Sequence, residues 1–155
     1  VDELRNLIDQ NFPTNKLQSI MGHSAGGHGA LVIGLRNPEI YKSISAFSPI
    51  VAPSQVPWGK KAFTAYLGED KALWSKYDAV ELVKSSSVKM PILVDQGNED
   101  SFLKEQLKPE LLENACRNKE YPITLNMRDG YDHSYYFVAS FIEEHVRFHV
   151  NNINQ

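Results

Sequence analysis

Several features that would indicate particular functions are scarce in this chain of 155 residues. It has one cysteine, Cys116, which excludes an internal disulfide and a metal site built from several cysteines. Cys116 lies in a helix-like run, where we predict a core side chain and not a nucleophile. The chain also lacks an Asn-x-Ser/Thr acceptor, and both features are compatible with a reducing cytoplasm.

Positive charge and long apolar runs are also scarce. The formal net charge is −3, and the basic residues form no run longer than the pair Lys60 and Lys61. The sequence therefore lacks the clustered positive charge that is typical of nucleic-acid-binding proteins. No apolar stretch approaches the roughly 20 residues of a membrane span, and the N-terminus shows no basic and then apolar leader. We expect a cytoplasmic protein that binds neither nucleic acid nor membrane.

The hydrophobic pattern alternates between strand and helix periods along the chain. With 42% hydrophobic and 23% charged residues, the composition suits one globular domain over 1–155. Strands are predicted at 17–21, 43–48, 91–95 and 123–127, and helices at 1–11, 25–36, 60–67, from 78, 109–118 and 134–150. This alternation predicts a mostly parallel α/β sheet with helices on both faces.

The stretch Gly-His-Ser-Ala-Gly-Gly at 22–27 is the most informative motif. It fits Gly-x-Ser-x-Gly, and it stands between a predicted strand and a predicted helix, as a nucleophile elbow requires. We expect Gly22 and Gly26 to keep space clear around the sharp turn at Ser24. The helix that follows would favour negative charge developing beside the serine.

A serine nucleophile needs a base, and the base needs an orienting acid. In elbow enzymes these residues follow the serine in the order acid, then histidine. Of the five histidines, His23 and His28 come too early. His133 follows the fourth predicted strand and precedes the last helix, so we predict that it is the general base.

The acid is expected in the loop after the third predicted strand. Asp95 belongs to that strand, and Asp129 and Asp132 lie too close to His133 in sequence. Asp100 is the first choice, and Glu99 is the second. Either carboxylate could instead be an ordinary solvated loop residue.

A metal site at His145 and His149 is the competing interpretation of the last helix. Residues four apart share a helix face, but no third ligand stands at a suitable spacing. A polar outer face is the preferred interpretation of this pair. We therefore predict no metal and no cofactor.

Taken together, the motifs resemble the S-formylglutathione hydrolases of the esterase D family. The resemblance spans nearly the whole chain in the family's order. It is carried by Gly-His-Ser-x-Gly-Gly-His-Gly-Ala-Leu at 22–31 and by five shorter blocks at 57–63, 66–68, 77–79, 95–97 and 130–137.

This resemblance implies an α/β-hydrolase fold and hydrolysis of S-formylglutathione to glutathione and formate. That reaction is a cytoplasmic step of formaldehyde detoxification, and family members are commonly homodimers. The resemblance places the nucleophile on Ser24, the base on His133 and the acid on Asp100. A general short-chain carboxylesterase and an inactive fragment of such an enzyme are the alternatives.

Two departures from the family pattern affect the expected site. Many members have Met after the serine, where this chain has Ala25, whose backbone N–H is the expected oxyanion donor. The chain also matches only the C-terminal part of the family's α/β domain, so the second oxyanion donor is expected outside it. Trp58 is proposed as a wall of the acyl pocket, with core packing as the alternative.

Overall fold

Four parallel strands form the sheet in a computed structural model that describes residues 1–153. They lie side by side in sequence order: β1 (Gln18–His23), β2 (Tyr41–Phe47), β3 (Ile92–Gly97) and β4 (Ile123–Arg128). All three strand pairs are parallel, as predicted. The carboxyl ends of the strands therefore share one edge of the sheet.

Among residues 1–153, seven α-helices connect and cover these strands. They are α1 (Asp2–Asn11), α2 (Ala25–Arg36), α3 (Pro57–Leu67), α4 (Lys71–Trp74), α5 (Ala79–Ser85), α6 (Pro109–Asn118) and α7 (Tyr135–Ile153). Six agree with the predicted helices to within about three residues. The sequence pattern missed α4, two short 3₁₀ turns and a π-helical turn, Leu103–Leu107. Within residues 1–153, no helix is both long and apolar enough to cross a membrane.

The main core lies between one face of the sheet and helices α2, α5 and α6. Alternate side chains of β2 and β3 enter it, because successive strand residues point to opposite faces. Cys116 is fully buried there, and burial raises the pKa of its thiol to about 12. This position makes Cys116 a core side chain, as predicted. The core members on the strands are Ile44, Ala46, Ile92 and Val94.

Helix α7 covers the other face, and its inner side combines apolar and histidine side chains. Phe137 is buried, but Val146 is 47% exposed. His145 is fully buried, and its ring stacks on Phe47 at a centroid distance of 3.7 Å. The predicted polar outer face for His145 and His149 is therefore wrong.

His149 binds two serines of β2 in place of solvent. Its Nδ1 lies 2.8 Å from Ser43 Oγ, and its Nε2 lies 2.8 Å from Ser45 Oγ. Small hydroxyl side chains on this face of β2 leave room for imidazole rings, which explains why the helix turns its histidines inward. Helices therefore cover both faces of the sheet, as predicted.

Strand β1 stands at the end of the sheet and pairs only with β2 among the described residues. Helix α1 beside it has no buried residue, and Leu4 and Leu7 are 66% and 58% exposed. An unpaired strand edge with apolar side chains nearby is a surface that folded proteins normally cover.

The partly buried His149 predicts how stability changes in mild acid. Burial, and then the nearby His145, lower its pKa to about 4, whereas the unfolded chain keeps the ordinary value of about 6.5. Between these values the unfolded state binds a proton that the folded state excludes. The free energy of unfolding should therefore fall as the pH falls from about 6.5 to about 4.

The His149→Gln variant should lose part of this pH dependence, because glutamine does not titrate. Urea unfolding at several pH values measures the effect, with Ser140→Ala as a control on the same helix. A wild-type slope in the His149→Gln variant would contradict the assignment.

Candidate active site

Ser24 lies in the sharp turn between β1 and α2, with φ 55° and ψ −118°. This is a strained conformation for a residue other than glycine. A Cβ on Gly22 would overlap the backbone of Gly26, so the turn requires glycine at position 22. A Cβ added to Gly26 would have no atom within 4 Å among the described residues, so our expectation that Gly26 keeps space clear is wrong. The second crowded position is Gly27, whose added Cβ would lie 3.2 Å from Phe47 O.

The structure brings Ser24, His133 and Asp100 into one hydrogen-bonded series. His133 Nε2 lies 2.8 Å from Ser24 Oγ, and His133 Nδ1 lies 2.6 Å from Asp100 Oδ2. The parallel register makes this possible, since His23 and Phe47, the last residues of β1 and β2, stand beside Asp95 near the end of β3. The three chosen residues all follow such strand ends.

Backbone contacts hold the loops of Asp100 and His133 together. The N–H of Glu99 donates to Tyr131 O at 2.9 Å. A Cβ on Gly97 would overlap the Tyr131 backbone, so these two loops pack without an intervening side chain. This close approach lets the acid reach the histidine across the edge of the sheet.

Asp100 is 5% exposed and accepts hydrogen bonds from three groups. Besides His133, they are the N–H of Phe102 at 2.9 Å and Gln96 Nε2 at 3.2 Å. Burial alone would raise the pKa of Asp100. The hydrogen bonds outweigh this effect and hold the pKa below its usual value, and the bond from His133 contributes most. Asp100 is therefore ionised where His133 needs a negative partner.

Two rings contact the imidazole of His133. Phe102 meets it edge-on at a centroid distance of 5.1 Å, and His23 lies 4.8 Å away. Burial, and next the proximity of His133, lower the pKa of His23. His23 therefore favours the neutral form beside the proposed base.

The remaining carboxylates lie elsewhere. Asp95 is buried on the α7 side, where Arg128 Nε and Asn126 Nδ2 donate to it at 2.7 and 2.8 Å. Asp132 accepts from the N–H of Ser134, and Glu99, the second choice for the acid, is exposed. Only Asp100 among the five candidates hydrogen-bonds His133 in the described part of the chain.

A cavity of about 370 Å³ begins at Ala25 and extends along α3. Ala25 is the first residue of α2, so its N–H belongs to the first turn, where donors have no intrahelical partner. Trp58 lines the cavity and is 45% exposed, which is unlike a residue of the core. The other lining residues are mainly apolar or aromatic, among them Ile50, Ala62, Phe63, Tyr66 and Leu67.

Within residues 1–153, no group of three or more His, Cys, Asp or Glu side chains is arranged to hold a metal ion. The residues that the sequence pattern missed are Gln96, Phe102 and His23. The signal that could have identified Gln96 is its place as a second polar residue, directly after Asp95, at the end of the apolar run Ile92–Val94.

The fold matches several solved structures, two of which are S-formylglutathione hydrolases. An S-formylglutathione hydrolase from Agrobacterium tumefaciens is 48% identical, with a TM-score of 0.93 over 99% of this chain and 56% of that one. An S-formylglutathione hydrolase from Staphylococcus aureus is 18% identical, with a TM-score of 0.76 over 96% of this chain and 61% of that one. Mycobacterium tuberculosis MPT51 is 14% identical, with a TM-score of 0.77 over 98% of this chain and 66% of that one.

The two distant structures support the fold alone. The chain spans little more than half the length of the Agrobacterium hydrolase. The strand order, the elbow and these similarities together identify the predicted α/β-hydrolase fold. The model of the Esterase family matches residues 1–148, and the chain therefore belongs to the Esterase family.

Proposed function

We propose that the chain carries the catalytic residues of a serine hydrolase that cleaves S-formylglutathione to glutathione and formate. The observation that carries the proposal is the hydrogen-bonded series Ser24–His133–Asp100 at the carboxyl edge of the sheet. Further support comes from the 48% identity to an S-formylglutathione hydrolase. The proposed substrate implies a role in cytoplasmic formaldehyde detoxification. We also propose that the intact enzyme is a homodimer.

In the first half of the reaction, Ser24 Oγ attacks the formyl carbonyl while His133 Nε2 takes the hydroxyl proton. Asp100 holds the Nδ1–H tautomer of His133 and stabilises the imidazolium that forms. His133 then gives its proton to the departing sulfur, and glutathione leaves as the thiol. A thiol is a good leaving group because its pKa is about 8.5.

In the second half, His133 removes a proton from water, which attacks the formyl ester on Ser24. The tetrahedral intermediate collapses, His133 returns the proton to Ser24 Oγ, and formic acid leaves and loses its remaining acidic proton to solvent as formate. The proposed oxyanion donor in both halves is the Ala25 N–H, supported by its place at the start of α2.

The second oxyanion donor is proposed to lie outside residues 1–155. In hydrolases with this elbow it comes from a loop that precedes the elbow strand, and here that strand is β1, the first of the sheet. Loss of one donor typically slows turnover about 10²–10³-fold. An inactive or slow fragment is therefore the expected state of residues 1–155 alone.

A general short-chain carboxylesterase is the second candidate, and the cavity favours it. A volume of about 370 Å³ beside Ala25 exceeds what a formyl group needs. A bulky wall at Trp58 would restrict long acyl groups, and its ring is supported by Phe102 at a centroid distance of 4.8 Å.

Loss of a triad residue should abolish turnover without unfolding the chain. In an intact protein that contains residues 1–155, we expect Ser24→Ala and Asp100→Asn each to lower kcat for S-formylglutathione by about 10⁴-fold. Glu99→Gln is the matched control, since it neutralises the adjacent exposed carboxylate and should keep turnover within about twofold. Near-normal kcat in either triad variant would contradict the assignment.

The acyl preference tests the substrate and the role of Trp58. The intact wild type should prefer formyl to butyryl thioesters of glutathione, and Trp58→Ala should shift the ratio of kcat/KM toward butyryl by about tenfold. Tyr136→Ala, which removes an exposed ring outside the cavity, should leave the ratio unchanged. A wild-type preference for butyryl would favour the carboxylesterase.

A further inference from the structure

Gln96 is a fully buried polar side chain near the end of β3. It shares a face of the sheet with Ile92 and Val94, whose side chains form the main core. An amide in such a place needs hydrogen-bond partners to offset its lost hydration. Its Nε2 donates to Gly97 O at 3.1 Å and to Asp100 Oδ2 at 3.2 Å.

The orientation of this amide is determined by its partners. Gly97 O and the ionised carboxylate of Asp100 both only accept hydrogen bonds. If the amide were rotated by 180°, its oxygen would face two other oxygens in a buried place. Gln96 must therefore present its NH₂ group to Asp100. Its Oε1 has no hydrogen-bond partner among the described residues, so the donating end is what holds the side chain.

Asp100 Oδ2 is also the oxygen that accepts from His133 Nδ1. Oδ2 thus accepts hydrogen bonds from both His133 and the Gln96 amide, while Oδ1 accepts one from the N–H of Phe102. Together these donors fix both the position and the rotation of the carboxylate.

We propose that Gln96 is a positioning residue that orients Asp100 toward His133 and limits the attraction of Asp100 for a proton on His133. The partial positive charge of its NH₂ group offsets part of the carboxylate's negative charge. His133 then keeps a neutral imidazole, able to accept the proton of Ser24, at lower pH than it would with an unsupported carboxylate. The catalytic meaning of this role rests on the proposed function; the effect on His133 does not.

Other ionisable groups surround this pair and must be kept unchanged. His23 faces His133 from the end of β1, and Tyr135 at the start of α7 contacts the ring of His23. Asp132 precedes His133 and interacts electrostatically with Asp100, while Glu99 is exposed. None of them hydrogen-bonds Gln96 in the described part of the chain, so a change at Gln96 leaves their contacts intact.

The test is an NMR titration of His133 in the uniformly labelled intact protein that contains residues 1–155, with no substrate present. Gln96→Leu removes the donor at similar volume, and we expect the pKa of His133 to rise by about half a unit. Gln96→Met also removes the donor at similar volume, and it should give a similar rise. Gln106→Leu is the matched control, since Gln106 is a buried glutamine that binds the Trp58 N–H and not Asp100.

Each outcome decides the proposal. A rise in both Gln96 variants, with the control at the wild-type value, supports it. An unchanged pKa of His133 in a folded Gln96→Leu or Gln96→Met variant overturns it, as does an equal rise in Gln106→Leu. Two-dimensional spectra establish the fold of each variant, and Gln96→Met serves if Gln96→Leu is unfolded. Because the titration measures no turnover, its result does not depend on whether the protein has the proposed hydrolase activity.

Discussion

The parallel register of the sheet is the constraint on which the rest of the structure depends. It aligns His23, Phe47, Asp95 and Asn126 in one row near the carboxyl edge. Ser24 and His133 are 109 residues apart in sequence, yet both follow strands that end at this edge. A shift of one residue between neighbouring strands would turn their side chains to the opposite faces and separate these groups.

The site combines strain with dense hydrogen bonding. The elbow holds Ser24 in an unfavourable backbone conformation, which the surrounding β1, β2 and α2 must maintain. Asp100, in contrast, is stabilised by its surroundings, since three hydrogen-bond donors stabilise its buried negative charge. Backbone contacts between the two loops then leave little freedom for His133, so the proposed base is oriented before any substrate arrives.

The sequence was sufficient to predict the parallel strands and the elbow turn, and to select three residues that the structure joins by hydrogen bonds, because each of these depends on local pattern or chain order. It was insufficient where the outcome depends on which side chains meet in space. His145 and His149 turn inward because β2 offers Phe47, Ser43 and Ser45, a choice that the periodicity of α7 does not encode. Gln96 was missed for the same reason, since its partner lies in a loop.

The central claim is that His133 and Asp100 activate Ser24 as a nucleophile, and covalent labelling tests it most directly. Treating the intact protein with a fluorophosphonate, followed by intact mass and peptide mapping, measures where and how fast a serine reacts. The account predicts a single adduct on Ser24 and much slower labelling in the Asp100→Asn variant. Absence of an adduct on Ser24, or equal labelling rates in the wild type and Asp100→Asn, would contradict it.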